Sequence, residues 1–229
     1  MKILGLVGGT SWVSTVDYYR LINEGINREL GGLEFAECMI YSMNYGQLKH
    51  NLDADDWDAI LEMLSNAAIK LQNSGAKAIL LCGNTTHLVA DRLQSMLGIP
   101  LIHIATTTAE AIGKQGLKKV ALLGTRFTME RDFYRNKLME RNIEVIIPGE
   151  EDRDFIHYTI FEELGRGQFK PKTKQRYIDI INKLAQQGAE GIILGCTEIP
   201  MLLNNDDVDI PLFDTMAIHS KTAVEFALS

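Results

Sequence analysis

The chain has 229 residues, 46% hydrophobic, 23% charged and 7% aromatic, with a formal net charge of -7. That length buries a core unaided, the composition excludes a disordered or fibrous chain, and the acidic balance argues against nucleic acid or anionic lipid as partners. Three cysteines, Cys38, Cys82 and Cys196, lack CxxC spacing, which disfavours a disulfide framework or a zinc site and fits a reducing cytoplasm.

Residues 2–7 form a continuous apolar run ending in Gly8-Gly9-Thr10-Ser11. The run is too short for a signal segment or a membrane span and reads as a first strand. Residues 14–30 carry apolar side chains at helical spacing, completing a βα unit. The alternation continues with strand-like 35–41, helical 56–73, apolar 78–81 and a helix over 86–96. After Pro100 come strand-like 101–104 and 120–123, a helix over 128–141, a strand over 143–147, and helices over 155–164 and 173–187. Strands over 191–194 and 210–213 and a closing helix over 215–227 end the series. This order predicts an α/β fold with parallel sheets covered by helices.

Sliding the chain against itself by 113 positions lays residues 75–84, GAKAILLCGN, on residues 188–197, GAEGIILGCT. Gly8-Gly9 and Gly124-Thr125 give a weaker echo at an offset of 116. Generic βα units share such residues, but recurrence at two places favours duplication into two similar halves. The halves are expected to span residues 1–103 plus 210–229, and residues 104–209.

Ligands of open parallel sheets bind beyond the carboxyl ends of the strands, near helix N-termini. Four strand-end loops qualify: Gly8-Gly9-Thr10-Ser11, Cys82-Gly83-Asn84-Thr85-Thr86, Gly124-Thr125-Arg126-Phe127-Thr128 and Gly195-Cys196-Thr197-Glu198. Small residues admit a ligand to the backbone, and hydroxyl and amide groups suit a small anion such as a carboxylate. Asn and Thr in these positions also serve as ordinary helix N-caps. The first loop fits neither GxGxxG nor a P-loop, so no nucleotide is expected. Cys196, in a strand-end loop rather than inside a strand, is the candidate acid/base. Cys38 and Cys82 read as core residues. Arg126 and Arg166 are weak candidates for a distal carboxylate, and His87, His157 and His219 read first as structural, with no metal-ligand spacing.

These residues together resemble the aspartate/glutamate racemase superfamily, and its aspartate racemase branch most closely. The resemblance rests on Gly5-Leu6-Val7-Gly8-Gly9-Thr10-Ser11-Trp12, Asn84-Thr85-Thr86-His87, Leu123 through Met129, Leu194-Gly195-Cys196-Thr197-Glu198-Ile199-Pro200 and Phe213-Asp214-Thr215. It implies two pseudo-symmetric Rossmann-like halves with the site in the cleft between them, a homodimer, and racemisation of an acidic amino acid without pyridoxal phosphate or metal. It also implies that Gly9, Thr10, Asn84, Thr85, Thr125, Thr128 and Thr197 bind the substrate. Most members of the superfamily carry one cysteine in each half. Here the second is Cys196, and the first position is Gly83, the residue the internal alignment sets opposite Cys196. A glycine there also resembles arylmalonate decarboxylase, which protonates from one face, so a one-base lyase is the second reading. A catalytically silent carboxylate-binding homologue is the third.

Overall fold

The computed structural model describes residues 1–229. In chain order the elements are β1 (Leu4–Gly8), α1 (Trp12–Leu30), β2 (Cys38–Ser42), α2 (Tyr45–Asp53), α3 (Trp57–Asn73), β3 (Ala78–Leu81), α4 (Ala90–Gln94), β4 (Leu101–Ile102) and α5 (Ile104–Lys114). They continue with β5 (Lys119–Gly124), α6 (Arg126–Glu130), α7 (Asp132–Met139), β6 (Glu144–Ile146), α8 (Glu150–Glu162), α9 (Pro171–Gln186), β7 (Ile192–Gly195), α10 (Ile199–Leu202), β8 (Leu212–Asp214) and α11 (Thr215–Leu228). None of these helices is long and apolar enough to cross a membrane.

The strands form two four-stranded parallel sheets, ordered β2-β1-β3-β4 and β6-β5-β7-β8. The two sheets share one register. Leu6 pairs with Leu80 in the first, and Leu122 pairs with Ile193 in the second. Those partners lie 116 and 113 positions apart, the two offsets read from the sequence. The last strands repeat the agreement, Leu80 pairing with Ile102 and Ile193 with Phe213.

In the first sheet the period of two decides which face each side chain takes. Leu4, Leu6, Ala78, Leu80 and Cys82 pack with Tyr18, Ile22 and Ile26 of α1 and with Met216, Ala223, Val224 and Ala227 of α11. Val7, Ile79 and Leu81 face the other way, against Ile60, Leu64, Ala68 and Leu71 of α3. Helix α1 starts where the Ser11 side chain accepts from the Ser14 N–H, and α3 where Asp56 accepts from Ala59. In the second sheet Val120, Leu122, Leu123, Ile192, Ile193 and Leu194 are buried, as are Tyr177, Ile180, Ile181 and Leu184 of α9. Each such aliphatic side chain contributes roughly 1.5–3 kcal/mol by leaving water.

The halves are Met1–Ile104 with Met216–Ser229, and Ala105–Thr215. The expected boundary at 210 is therefore corrected. Leu212–Asp214 pair with β7 and belong to the second half, and only the helix that follows returns to the first. Helices α2 and α5 were not expected. In α5 the run Thr106-Thr107-Thr108 has low intrinsic helix propensity, which packing overrides. The helix expected over 128–141 is two, broken at Arg131 with φ -86° and ψ 150°, and the one expected over 86–96 begins as a 3-10 turn, Thr85–Val89.

Candidate active site

In the first half the loop after β1 is fixed by backbone. Gly9 has φ +80°, and a Cβ there would lie 2.2 Å from the Met43 carbonyl oxygen, so only glycine fits. Its N–H donates to Thr15 Oγ1 at 2.9 Å, so Gly9 shapes the loop. Thr10, next along, donates from Oγ1 to the Cys82 carbonyl at 2.9 Å.

The loop after β3 closes on Gly83. Its carbonyl accepts from Thr86 Oγ1 at 3.1 Å and from His87 Nδ1 at 2.8 Å, which assigns the His87 proton to Nδ1. Nε2 is buried without a partner. Asn84 is buried, does not cap the turn through its side chain, and stands beside the partly exposed Thr85. His219 is also buried. Its Nε2 donates to the Ile102 carbonyl at 2.7 Å and its Nδ1 accepts from the Tyr18 hydroxyl at 2.8 Å. Burial first, then the neighbouring imidazoles, holds His87 well below the ordinary range and His219 down to about 3. Both are neutral structural residues of this half.

In the second half Thr125 caps α6, its Oγ1 accepting from the Thr128 N–H at 3.4 Å and lying 3.3 Å from Thr128 Oγ1. Thr128 is fully buried. Thr125 thus does what a helix cap does, and Asn84 does not. Beyond β7, Cys196 is partly exposed and its Sγ donates to Glu198 Oε2 at 2.9 Å. Thr197 Oγ1 donates to the same oxygen at 2.7 Å. The strand end beneath is tied by Thr215 Oγ1, which donates to the Leu194 carbonyl at 2.9 Å.

These contacts set the chemistry of the thiol. Although Cys196 keeps part of its surface, burial of the sulfur first, then the Glu198 carboxylate, pushes its pKa well above the ordinary thiol range. The resting group is a thiol with its proton directed at a carboxylate, which is the local acceptor for that proton. Cys82, by contrast, is sealed in the core, and burial raises its pKa too, so it stays protonated. Glu198 is the residue sequence reasoning did not single out. Its signal was present as the carboxylate two positions after Cys196. Arg126 is ion-paired with Asp154 and Arg166 with Glu162, all at the surface.

The sequence profile described as Asp/Glu/Hydantoin racemase matches residues 7–223. The chain belongs to that family. A Yersinia pestis protein provisionally assigned as an Asp/Glu racemase shares 46% identity over the full length of both chains, with a TM-score of 0.96. A Pyrococcus horikoshii aspartate racemase homologue shares 37%, again over both full chains, with a TM-score of 0.87. The broad specificity amino-acid racemase RacX of Bacillus subtilis is 25% identical over 99% of each chain. The match spans both halves, and the two-sheet fold is the racemase fold.

Proposed function

We propose that the chain is an amino-acid racemase that acts on an acidic amino acid such as aspartate or glutamate without pyridoxal phosphate or metal. The observation that carries the reading is the Cys196–Glu198 pair at the end of β7. Glu198 accepts the thiol proton, and the resulting thiolate removes the α-proton of the substrate, so that the S–H bond re-forms as the Cα–H bond breaks. The electron pair left on the α-carbon is shared with the substrate carboxylate as an enediolate. Gly9, Thr10, Asn84, Thr85, Thr125, Thr128 and Thr197 are the residues we assign to the loops that hold the substrate, the Asn84 amide and the Thr85 hydroxyl stabilising its charge while the hydroxyl protons of Thr10 and Thr197 stay on the Cys82 carbonyl and on Glu198. With no thiol at residue 83, the opposite face takes its proton from water, the hydroxide so formed is neutralised through solvent by the proton on Cys196, and Glu198 gives its proton back to the sulfur.

Gly83 is also the observation that favours a second reading, a one-base enzyme in which Cys196 alone exchanges or delivers a proton on one face. A homodimer in a reducing cytoplasm belongs to the proposal. Its support is the three free thiols and the exposed apolar stripe of Trp12, Val16 and Tyr19, one to two helical turns apart on α1. The test is Cys196→Ala. Its fold, followed by circular dichroism, is expected to be unchanged, while racemisation of aspartate and glutamate falls by at least roughly 10²- to 10⁴-fold. Activity near that of the unaltered enzyme would remove Cys196 from the mechanism.

A further inference from the structure

Gly83 carries no side chain, but the space in which one would begin is occupied. A Cβ on residue 83 would lie 2.7 Å from Thr10 Oγ1 and 3.5 Å from Thr10 Cβ, and it would meet no other atom outside its own chain neighbours within 4 Å. The first distance is shorter than real Cβ contacts allow, and the second is ordinary van der Waals contact. The backbone at Gly83 is not in the left-handed region, so its conformation suits any residue. What excludes a side chain there is one hydroxyl.

That hydroxyl is held in place. Pairing of Val7 with Leu81 brings the loops after β1 and β3 side by side, and Gly9 at φ +80° against Met43 fixes the approach of the chain to Thr10. Thr10 Oγ1 then spends its one proton on the Cys82 carbonyl at 2.9 Å. The lone pairs that remain accept hydrogen bonds, and an alkyl hydroxyl does not take an α-proton at neutral pH.

We propose that Thr10 is a specificity-determining partner of Gly83. Its hydroxyl fills the side-chain position of residue 83, so the first half presents a neutral acceptor at the place the internal repeat matches to Cys196. The pair Thr10–Gly83 confines proton transfer by a protein side chain to the Cys196 face and leaves the other face to water. This rests on the racemase reading, and it makes the two positions interdependent: a side chain at 83 is costly while the Thr10 hydroxyl is present and tolerated once it is gone.

The test is a double-mutant cycle with two readouts. In thermal unfolding, Gly83→Ala is expected to lower Tm by roughly 3–8 °C in the wild-type background, as overpacking does, and by less than half of that beside Thr10→Ala. Equal losses in both backgrounds would overturn the proposal whatever the activity. In the second readout, inversion of each enantiomer of aspartate and glutamate is compared with α-deuteration in deuterium oxide. Gly83→Cys alone is expected to leave the ratio near that of the wild type, and Thr10→Ala/Gly83→Cys to raise inversion by roughly 10²- to 10⁴-fold. An equal gain from Gly83→Cys alone would overturn the role of Thr10. Thermal coupling with no turnover in any variant would sink the racemase reading and leave the Thr10–Gly83 pairing standing.

Discussion

In the proposed reaction two effects act in opposite directions at Cys196. Burial and the adjacent carboxylate keep the sulfur protonated at rest, yet the same carboxylate is the acceptor that lets the proton leave. Removing the charge of Glu198 while keeping its shape separates them. In Glu198→Gln the thiolate, followed by its ultraviolet absorbance, is expected to appear at lower pH than in the wild type, because a repelling charge is gone. Turnover is expected to fall by roughly 10²-fold, because the proton has lost its acceptor. An unmoved thiol titration would mean that Glu198 does not govern Cys196. The motif made Cys196 legible in the sequence, but not this contact. Residues two apart point the same way along an extended chain without touching, and the bond forms only because the loop turns back on itself. Thr10 was illegible for a different reason. Its bond to Cys82 spans 72 residues and depends on the β1–β3 register, which alternation alone does not supply.

The buried imidazoles carry a second consequence at this scale. His87 and His219 have folded-state pKa values below the unfolded value of about 6.5, so the unfolded chain binds more protons below that pH. Their contribution is whole above pH 6.5 and is lost as pH falls from there toward about 3, the value at His219. At pH 5 the loss from His219 alone is roughly 2 kcal/mol. Urea unfolding at pH 7 and pH 5 is expected to show it, with a flatter pH dependence in His219→Gln. Equal slopes in the two proteins would show that His219 is not buried as a neutral ring.

Among the elements, α11 decides whether the first half has a complete core. It follows β8, a strand of the second sheet, but Met216, Ala223, Val224 and Ala227 bury against Leu4, Leu6, Tyr18, Ile22 and Ile26. Gly25 is part of the fit, since a Cβ there would lie 2.7 Å from Val224. A chain ending at Thr215 is therefore expected to leave that face of the first sheet bare and to be recovered as aggregated or protease-sensitive protein. A soluble, protease-resistant truncation with the wild-type Tm would show that α11 is dispensable. The helix itself was plain in the sequence, where Ala217, Ile218, Ala223, Val224 and Ala227 suit one face. The strand before it was assigned to the wrong half, because a short apolar run such as Leu212–Asp214 does not reveal its pairing partner. Helix α5 was hidden by three consecutive threonines, and the break at Arg131 by an apolar spacing that continues across it.

For the whole molecule, the duplication is the feature that sequence and structure give with the same numbers. The offsets of 113 and 116 align GAKAILLCGN with GAEGIILGCT in the chain, and the same offsets carry Leu6–Leu80 onto Leu122–Ile193 in the sheets. Each sheet presents strand-end loops at equivalent places, and the halves differ at the positions the proposed reaction uses, Gly83 beside Thr10 in one and Cys196 beside Glu198 in the other. A molecule built in this way has two matching positions for an acid/base group and carries a thiol at one of them, Cys196. The central claim is that Cys196 moves the α-proton of an acidic amino acid, and incubation with each pure enantiomer of aspartate and glutamate in deuterium oxide tests it most directly. Mass spectrometry then follows α-deuterium and chiral chromatography follows configuration. One enantiomer of a substrate is expected to gain α-deuterium faster than it inverts, with inversion nevertheless measurable, and both are expected to be lost in Cys196→Ala. Absence of α-deuterium from every enantiomer, or its undiminished appearance in Cys196→Ala, would contradict it.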